Sequence, residues 1–102
     1  MILRVLAEAE AEIDSARRHL NVQSPGLGWR FLDELAEAFD AIVSRPLSFA
    51  SVETLPLDQP YRRALLPTFP FAVIFEVLER EIVVIAVAHA SREPGYWLGR
   101  PS

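Results

Sequence analysis

A chain of 102 residues, 51% of them apolar, is read as one compact globular domain, residues 1–102, with a modest core. It has no cysteine and no lysine, which excludes disulfides, thiolate metal sites and lysine nucleophiles and makes every positive side chain a planar, permanently charged arginine. The net charge of −4 is uneven: residues 1–59 hold five Arg against ten Asp and Glu, whereas residues 60–102 hold five Arg against four Glu.

That acidic balance disfavours non-specific nucleic-acid binding, which relies on a basic surface. The two histidines, His19 and His89, stand seventy positions apart, so neither a metal nor a cofactor is expected. The start, MILRVLAEAEAE, turns acidic where a secretory leader would be apolar, and no apolar run is long enough to span a bilayer. The expectation is a soluble cytoplasmic protein with no membrane partner.

In chain order, ILRVL (Ile2–Leu6) reads as a first strand. From Ala7 the chain is rich in helix formers, and Leu6, Ala9, Ile13, Ala16 and Leu20 recur at helical spacing. Asp14 stands four residues before Arg18, and the acids precede Arg17 and Arg18, an order that suits both side-chain pairing and the helix dipole. The alternating Ala-Glu start is expected to be a solvated face. NVQSPGLG then interrupts, with Ser24 expected as an N-cap and Pro25 as the first residue of a second helix. Leu32, Leu35, Ala36, Phe39, Ile42 and Val43 supply that helix with an apolar face, and Gly28 occupies the place where one more apolar side chain would complete it. Arg45 precedes Pro46, which predicts a stop near Ser44. Trp29 is expected to pack.

From Pro46 to Pro60 inclusive the chain has three prolines and no period, a connection that either meets a partner or wraps over a sheet edge. Three strand-like runs follow: Tyr61–Leu66, Phe71–Leu78 and Glu81–His89, the last two joined by a tight reversal at Glu79 and Arg80. Phe71, Val73, Phe75 and Val77 alternate on one side; Val83, Ile85, Val87 and His89 alternate together. The predicted fold is α+β, ordered β-α-α-β-β-β, with a small, mostly antiparallel sheet and a two-helix hairpin on one face.

Candidate chemistry gathers where the last strand ends. Arg62 and Arg63 on the first meander strand, His89, Arg92 and Tyr96 are the candidate catalytic residues, with no assignment fixed among them. His89 carries the imidazole of this group, expected to act as a general base or as a strand cap bonded to a loop carbonyl. Arg92 can hold a phosphate or a partner's carboxylate, and Tyr96 can stack on a base, transfer a proton, or pack beside Trp97. Trp97 reads as a core or interface anchor. Gly26 and Gly28 make no phosphate-binding fingerprint, and no serine triad or paired-carboxylate pattern is present.

The order of these features carries a resemblance. RRALLPTFPFAVIFEVLEREIVVIAVAHASREPGYWLGR resembles the C-terminal half of the RelE/ParE toxin superfamily of bacterial type II toxin–antitoxin (plasmid-stabilisation) systems. It has an Arg-bearing strand, the step Phe69-Pro70-Phe71, a long apolar hairpin, and an ending of His89, Arg92 and Trp97 with Arg100 beyond. The Ala- and Glu-rich first helix and GLGWRFLDELAEAFDAI extend the resemblance over nearly the whole chain.

The resemblance implies a small growth-inhibiting toxin neutralised by a cognate antitoxin whose C-terminal segment wraps it, with Trp97 and Arg100 as partner-binding residues. RelE-like members cleave mRNA on the ribosome; by that analogy Arg62 or Arg63, Arg92 and Tyr96 match the cleaving positions. ParE-like members act on a protein, DNA gyrase. RNA-cleaving relatives are basic and often use lysine, whereas this chain is acidic and has none. The preferred expectation is therefore the ParE-like, non-enzymatic toxin. A RelE-like ribosome-dependent mRNA endonuclease is the alternative, and an inactive member that only binds an antitoxin the second.

Overall fold

The computed structural model describes residues 1–52 and 60–101. Its elements run β1 (Ile2–Val5), α1 (Ala7–Gln23), α2 (Leu27–Ser44), a 3-10 turn (Pro46–Ser48), β2 (Tyr61–Leu65), β3 (Phe71–Val77) and β4 (Glu81–His89). They form one sheet of order β1-β4-β3-β2, antiparallel except where β1 lies parallel to β4. The predicted α+β order is the observed one. The two strands that are apolar on both sides, β3 and β4, are central, because only there are both faces covered.

α1 packs against β4 and buries Ala9, Ala16 and Leu20, with Leu6 buried just before its first residue. Asp14 meets Arg18 at 3.1 Å as its spacing predicts, and also Arg17 at 2.9 Å. The helix continues to Gln23, however, so these arginines lie inside it and no basic residue stands in its last turn. Ser24 does not cap α2. Its amide closes α1 onto the Leu20 carbonyl at 3.0 Å, and its own carbonyl accepts from Leu27 N at 3.0 Å. With Gly26 at φ 90° and ψ −14°, this is a type II turn, in which Pro25 supplies the fixed φ and Gly26 the left-handed one.

The buried face of α2 is rotated from the expected one. Phe31, Leu35 and Ile42 are buried, and Ala36 and Val43 are exposed. The rotation follows from Gly28, where the helices cross so closely that a Cβ would stand 2.3 Å from the Arg17 carbonyl oxygen. Gly28 N instead donates to Asn21 Oδ1 at 2.8 Å. Trp29, next to it, is turned outward, 58% exposed with the Arg17 guanidinium 5.4 Å from its ring centroid; the expectation that it packs is corrected. Phe31 does the packing, edge-on to Phe69 and tilted against Phe71, with ring centroids at 5.6 and 5.0 Å. Both helices thus cover the sheet face that carries Phe71 and Val73.

Of the connection after α2, Ala50–Val52 pairs along the outer edge of β2, through Arg63 N to the Ala50 carbonyl and Val52 N to the Tyr61 carbonyl, each at 3.0 Å. That segment blunts an edge that would otherwise offer unpaired backbone groups. Residues 53–59 of the predicted connection lie outside the described residues.

The alternation of β4 is broken once. Ile74 pairs with Ala86 but Phe75 with Val84, so Ile85 is an extra residue, a β-bulge. Val83 therefore lies on the sheet face opposite Val87 and His89, which corrects the single alternation expected from sequence.

Candidate functional site

Neighbouring residues of a strand point to opposite faces, and β2 separates the two candidate arginines in this way. Arg62, opposite Phe75, lies on the helix side, and its guanidinium donates to the Phe49 carbonyl at 2.7 Å. Arg63, opposite Ile74, lies on the other face. There the C-terminal turns fold back over the sheet and enclose a groove of about 450 Å³. Arg63, His89, Arg92, Tyr96 and Trp97 all line it; Arg62 and Arg100 do not. Its floor is apolar, with Leu65, Ala72, Ile74 and Ala88 among the lining side chains. Among the described residues neither Arg63 nor Arg92 forms an ion pair, so the groove, whose lining also holds Glu93, sets two such arginines over an apolar base.

Trp97 is 3% exposed and stands edge-on to Tyr61, ring centroids 4.8 Å apart. It fixes the returning chain to the sheet. His89, at the strand end, is exposed and edge-on to Phe71 at 5.0 Å. Its Nδ1 lies 3.0 Å from the Ser91 amide nitrogen and 2.8 Å from the Ser91 hydroxyl. An amide can only donate, so Nδ1 accepts, and the neutral ring carries its proton on Nε2. This is the strand cap anticipated as an alternative to general-base chemistry, made to a loop N–H rather than to a carbonyl.

Arg92 and Tyr96 form a unit. The guanidinium of Arg92 lies 3.8 Å from the Tyr96 ring centroid, and that of Arg100 lies 5.3 Å from it. The Tyr96 hydroxyl donates to Glu12 Oε2. Burial and that carboxylate push the Tyr96 phenol up to about 12. Arg100 donates to both Glu12 oxygens, at 2.9 and 3.2 Å, and its guanidinium is held above its ordinary value first by this bond.

Glu12 is the residue that sequence reading missed. β1 covers β4 only as far as Val84, and beyond it the β4 edge has no strand partner on that side. Glu12 Oε1 accepts the Val87 N–H at 3.0 Å, and Arg100 donates to the Ile85 carbonyl at 3.0 Å, so this ion pair substitutes for the missing strand. The alternating Ala-Glu pattern predicts a solvated face, yet one signal separates Glu12 from its neighbours. It stands three residues after Ala9 and four before Ala16, on the flank of the apolar stripe, where a side chain meets the sheet. Glu34 plays a similar part on α2, accepting from Thr68 N at 2.8 Å and Phe69 N at 3.3 Å at the entry to β3.

Residues 3–94 match the family model described as the ParE toxin of the type II toxin–antitoxin system parDE. The chain belongs to the ParE toxin family. A solved structure of the chromosomal ParDE TA system from P. aeruginosa is similar to this ParE-family chain, with a TM-score of 0.76 over 89% of this chain and 97% of that one. At 20% identity that likeness is one of fold. No curated protein sequence matches the chain. Among the described residues no helix is long and apolar enough to cross a membrane, and no group of three or more His, Asp or Glu could hold a metal ion.

Proposed function

We propose that this ParE-family toxin arrests growth by binding a cellular protein, DNA gyrase being the first candidate, and that a cognate antitoxin neutralises it. Both partners are met in the cytoplasm. The observation that supports this reading is the state of the polar groups at the groove. A general base or acid needs a pKa near working pH. Tyr96 stays protonated far above it, with its hydroxyl committed to Glu12. His89 has its Nδ1 committed to Ser91. What remains is an apolar floor beneath the Arg63 and Arg92 side chains, a surface suited to an amphipathic protein segment. The net charge of −4 also works against approach to a ribosome.

The RelE-like alternative draws on one observation, that Arg63, His89, Arg92 and Tyr96 line a common groove. Regulated expression in bacteria, with and without the adjacent small reading frame, separates the readings. Growth arrest with an SOS response, relieved by the neighbour, together with loss of supercoiling by purified gyrase, is the expected result. Cleavage of ribosome-bound message would support the nuclease instead. Undiminished growth at high levels of folded chain would leave only the inactive, antitoxin-binding reading.

A further inference from the structure

Glu12 is absent from the groove, yet four donors converge on its carboxylate: the Tyr96 hydroxyl, two nitrogens of Arg100 and the Val87 amide. Two of these residues, Tyr96 and Arg100, belong to the segment that folds back over the sheet. Tyr96 is in turn the platform on which Arg92 rests, 3.8 Å from its ring centroid. Between them, Arg92, Tyr96 and Trp97 make one wall of the groove. The local hydrogen bonds of that segment are short turns, such as Tyr96 N to the Glu93 carbonyl at 3.2 Å and Arg100 N to the Trp97 carbonyl at 3.3 Å. Turns of this kind define a shape but do not attach it to the body of the protein. Trp97 packing, the Arg100 bond to the Ile85 carbonyl and the Glu12 carboxylate supply the attachment, and the carboxylate alone engages both Tyr96 and Arg100.

We infer that Glu12 is a positioning residue: acting through Tyr96 and Arg100 from the opposite side of the β4 rim, it holds the C-terminal segment as the groove wall and fixes Arg92 for contact with a bound protein. The inference rests on the proposed binding role of the groove. Its physical basis is pre-organisation. Side chains already ordered in the free protein lose little freedom when a partner arrives, whereas released ones must be ordered again at the cost of affinity. A half-buried carboxylate held by four donors is also a strong clamp, because charge-assisted bonds are about twice as strong as neutral ones.

The test compares wild type, Glu12→Ala, Glu12→Gln and the control Asp14→Ala, which breaks only surface pairs on the same helix. All are made in a Trp29→Phe background, so that Trp97 is the sole fluorophore of its kind. Each is purified as a complex with the polypeptide from the adjacent reading frame, refolded free of it, and titrated with it. Glu12→Ala is expected to bind about tenfold more weakly, the cost of re-ordering the two or three side chains it releases. Its Trp97 emission should shift to the red and become accessible to acrylamide. Glu12→Gln retains an acceptor oxygen for Tyr96 and is expected to recover part of both signals; Asp14→Ala should match wild type. Circular dichroism identifies any variant that is unfolded, and for such a variant Glu12→Gln provides the comparison. Unchanged Trp97 emission and affinity in folded Glu12→Ala, or in Glu12→Gln where the alanine variant is unfolded, would overturn the inference. Wild type that fails to bind the polypeptide while Trp97 still responds to the substitutions would instead count against the binding role of the groove.

Discussion

Replacing Gly28 by alanine is the sharpest probe of how the helix hairpin is built. The added methyl would stand 2.3 Å from the Arg17 carbonyl oxygen and 2.8 Å from Asn21 Cγ, where ordinary contact begins at 3.4 Å. The first obstacle is backbone, so it cannot rotate away; α1 and α2 must separate by roughly 1 Å at the crossing, an overpacking strain of about 1–3 kcal/mol. Separation also breaks the Gly28 N–H bond to Asn21, worth about 1 kcal/mol. Against this stands the higher helix propensity of alanine, at most about 1 kcal/mol and less at the second position of a helix. The net expectation is a loss of about 2 kcal/mol, or a fall in Tm of about 8–16 °C for a domain of this size. Urea unfolding followed by far-UV circular dichroism measures it, as a lower midpoint at unchanged slope. A variant within about 0.5 kcal/mol of wild type, or more stable, would show that the helices part freely and would refute the argument that Gly28 sets their crossing.

Four further outcomes are expected. Asn21→Ala, which strands the Gly28 amide in a partly buried place, should cost about 1 kcal/mol in the same urea assay. Phe31→Ala removes a fully buried ring that meets Phe69 and Phe71; a loss of about 3–5 kcal/mol should leave the domain marginal or unfolded by calorimetry. The Tyr96 phenol, raised from an ordinary value of 10.0 to about 12, favours the folded state below its unfolded pKa and ceases to do so as pH rises through that window. Ultraviolet titration should therefore show one late-ionising tyrosine coupled to alkaline unfolding, and Glu12→Gln should bring it earlier. Glu34 is penalised by burial but held below the usual carboxylate range by the Thr68 and Phe69 amides, so its stabilising effect is present above that range and fades as pH falls through it. In Glu34→Ala, amide exchange at Thr68 and Phe69 should quicken at neutral pH; unchanged exchange would sink that assignment.

The candidate site joins residues of very different legibility. His89 ends the last strand and Arg92 and Tyr96 follow it within a few positions, so their convergence at its end was readable directly. Arg63 joins them because β2 and β4 both flank β3, and the meander alone predicts that neighbourhood. Which of two adjacent arginines faces the groove was not readable, since it depends on the register of β2 against β3. The sequence was also silent on how His89 is used. An Nδ1 bonded to Ser91 and an Nδ1 free to take a proton have the same neighbours in the chain.

What the chain order determined by itself was local: the presence of two helices, the stop at Ser44, the succession of strands and the apolar stripe of α1, each a matter of side chains two, three or four residues apart. The tertiary structure decided everything that depends on phase or distance. The Ile85 bulge reversed the faces of β4 partway along it, and the close crossing at Gly28 rotated α2 so that Phe31 replaced Trp29 in the core. Glu12, one of three alternating glutamates, became the anchor of Arg100 across 88 positions because β1 ends early and leaves the Val87 amide to be satisfied. Periodicity records which side of an element is apolar; it holds no record of where a neighbouring element stops, and that is where this anchor formed.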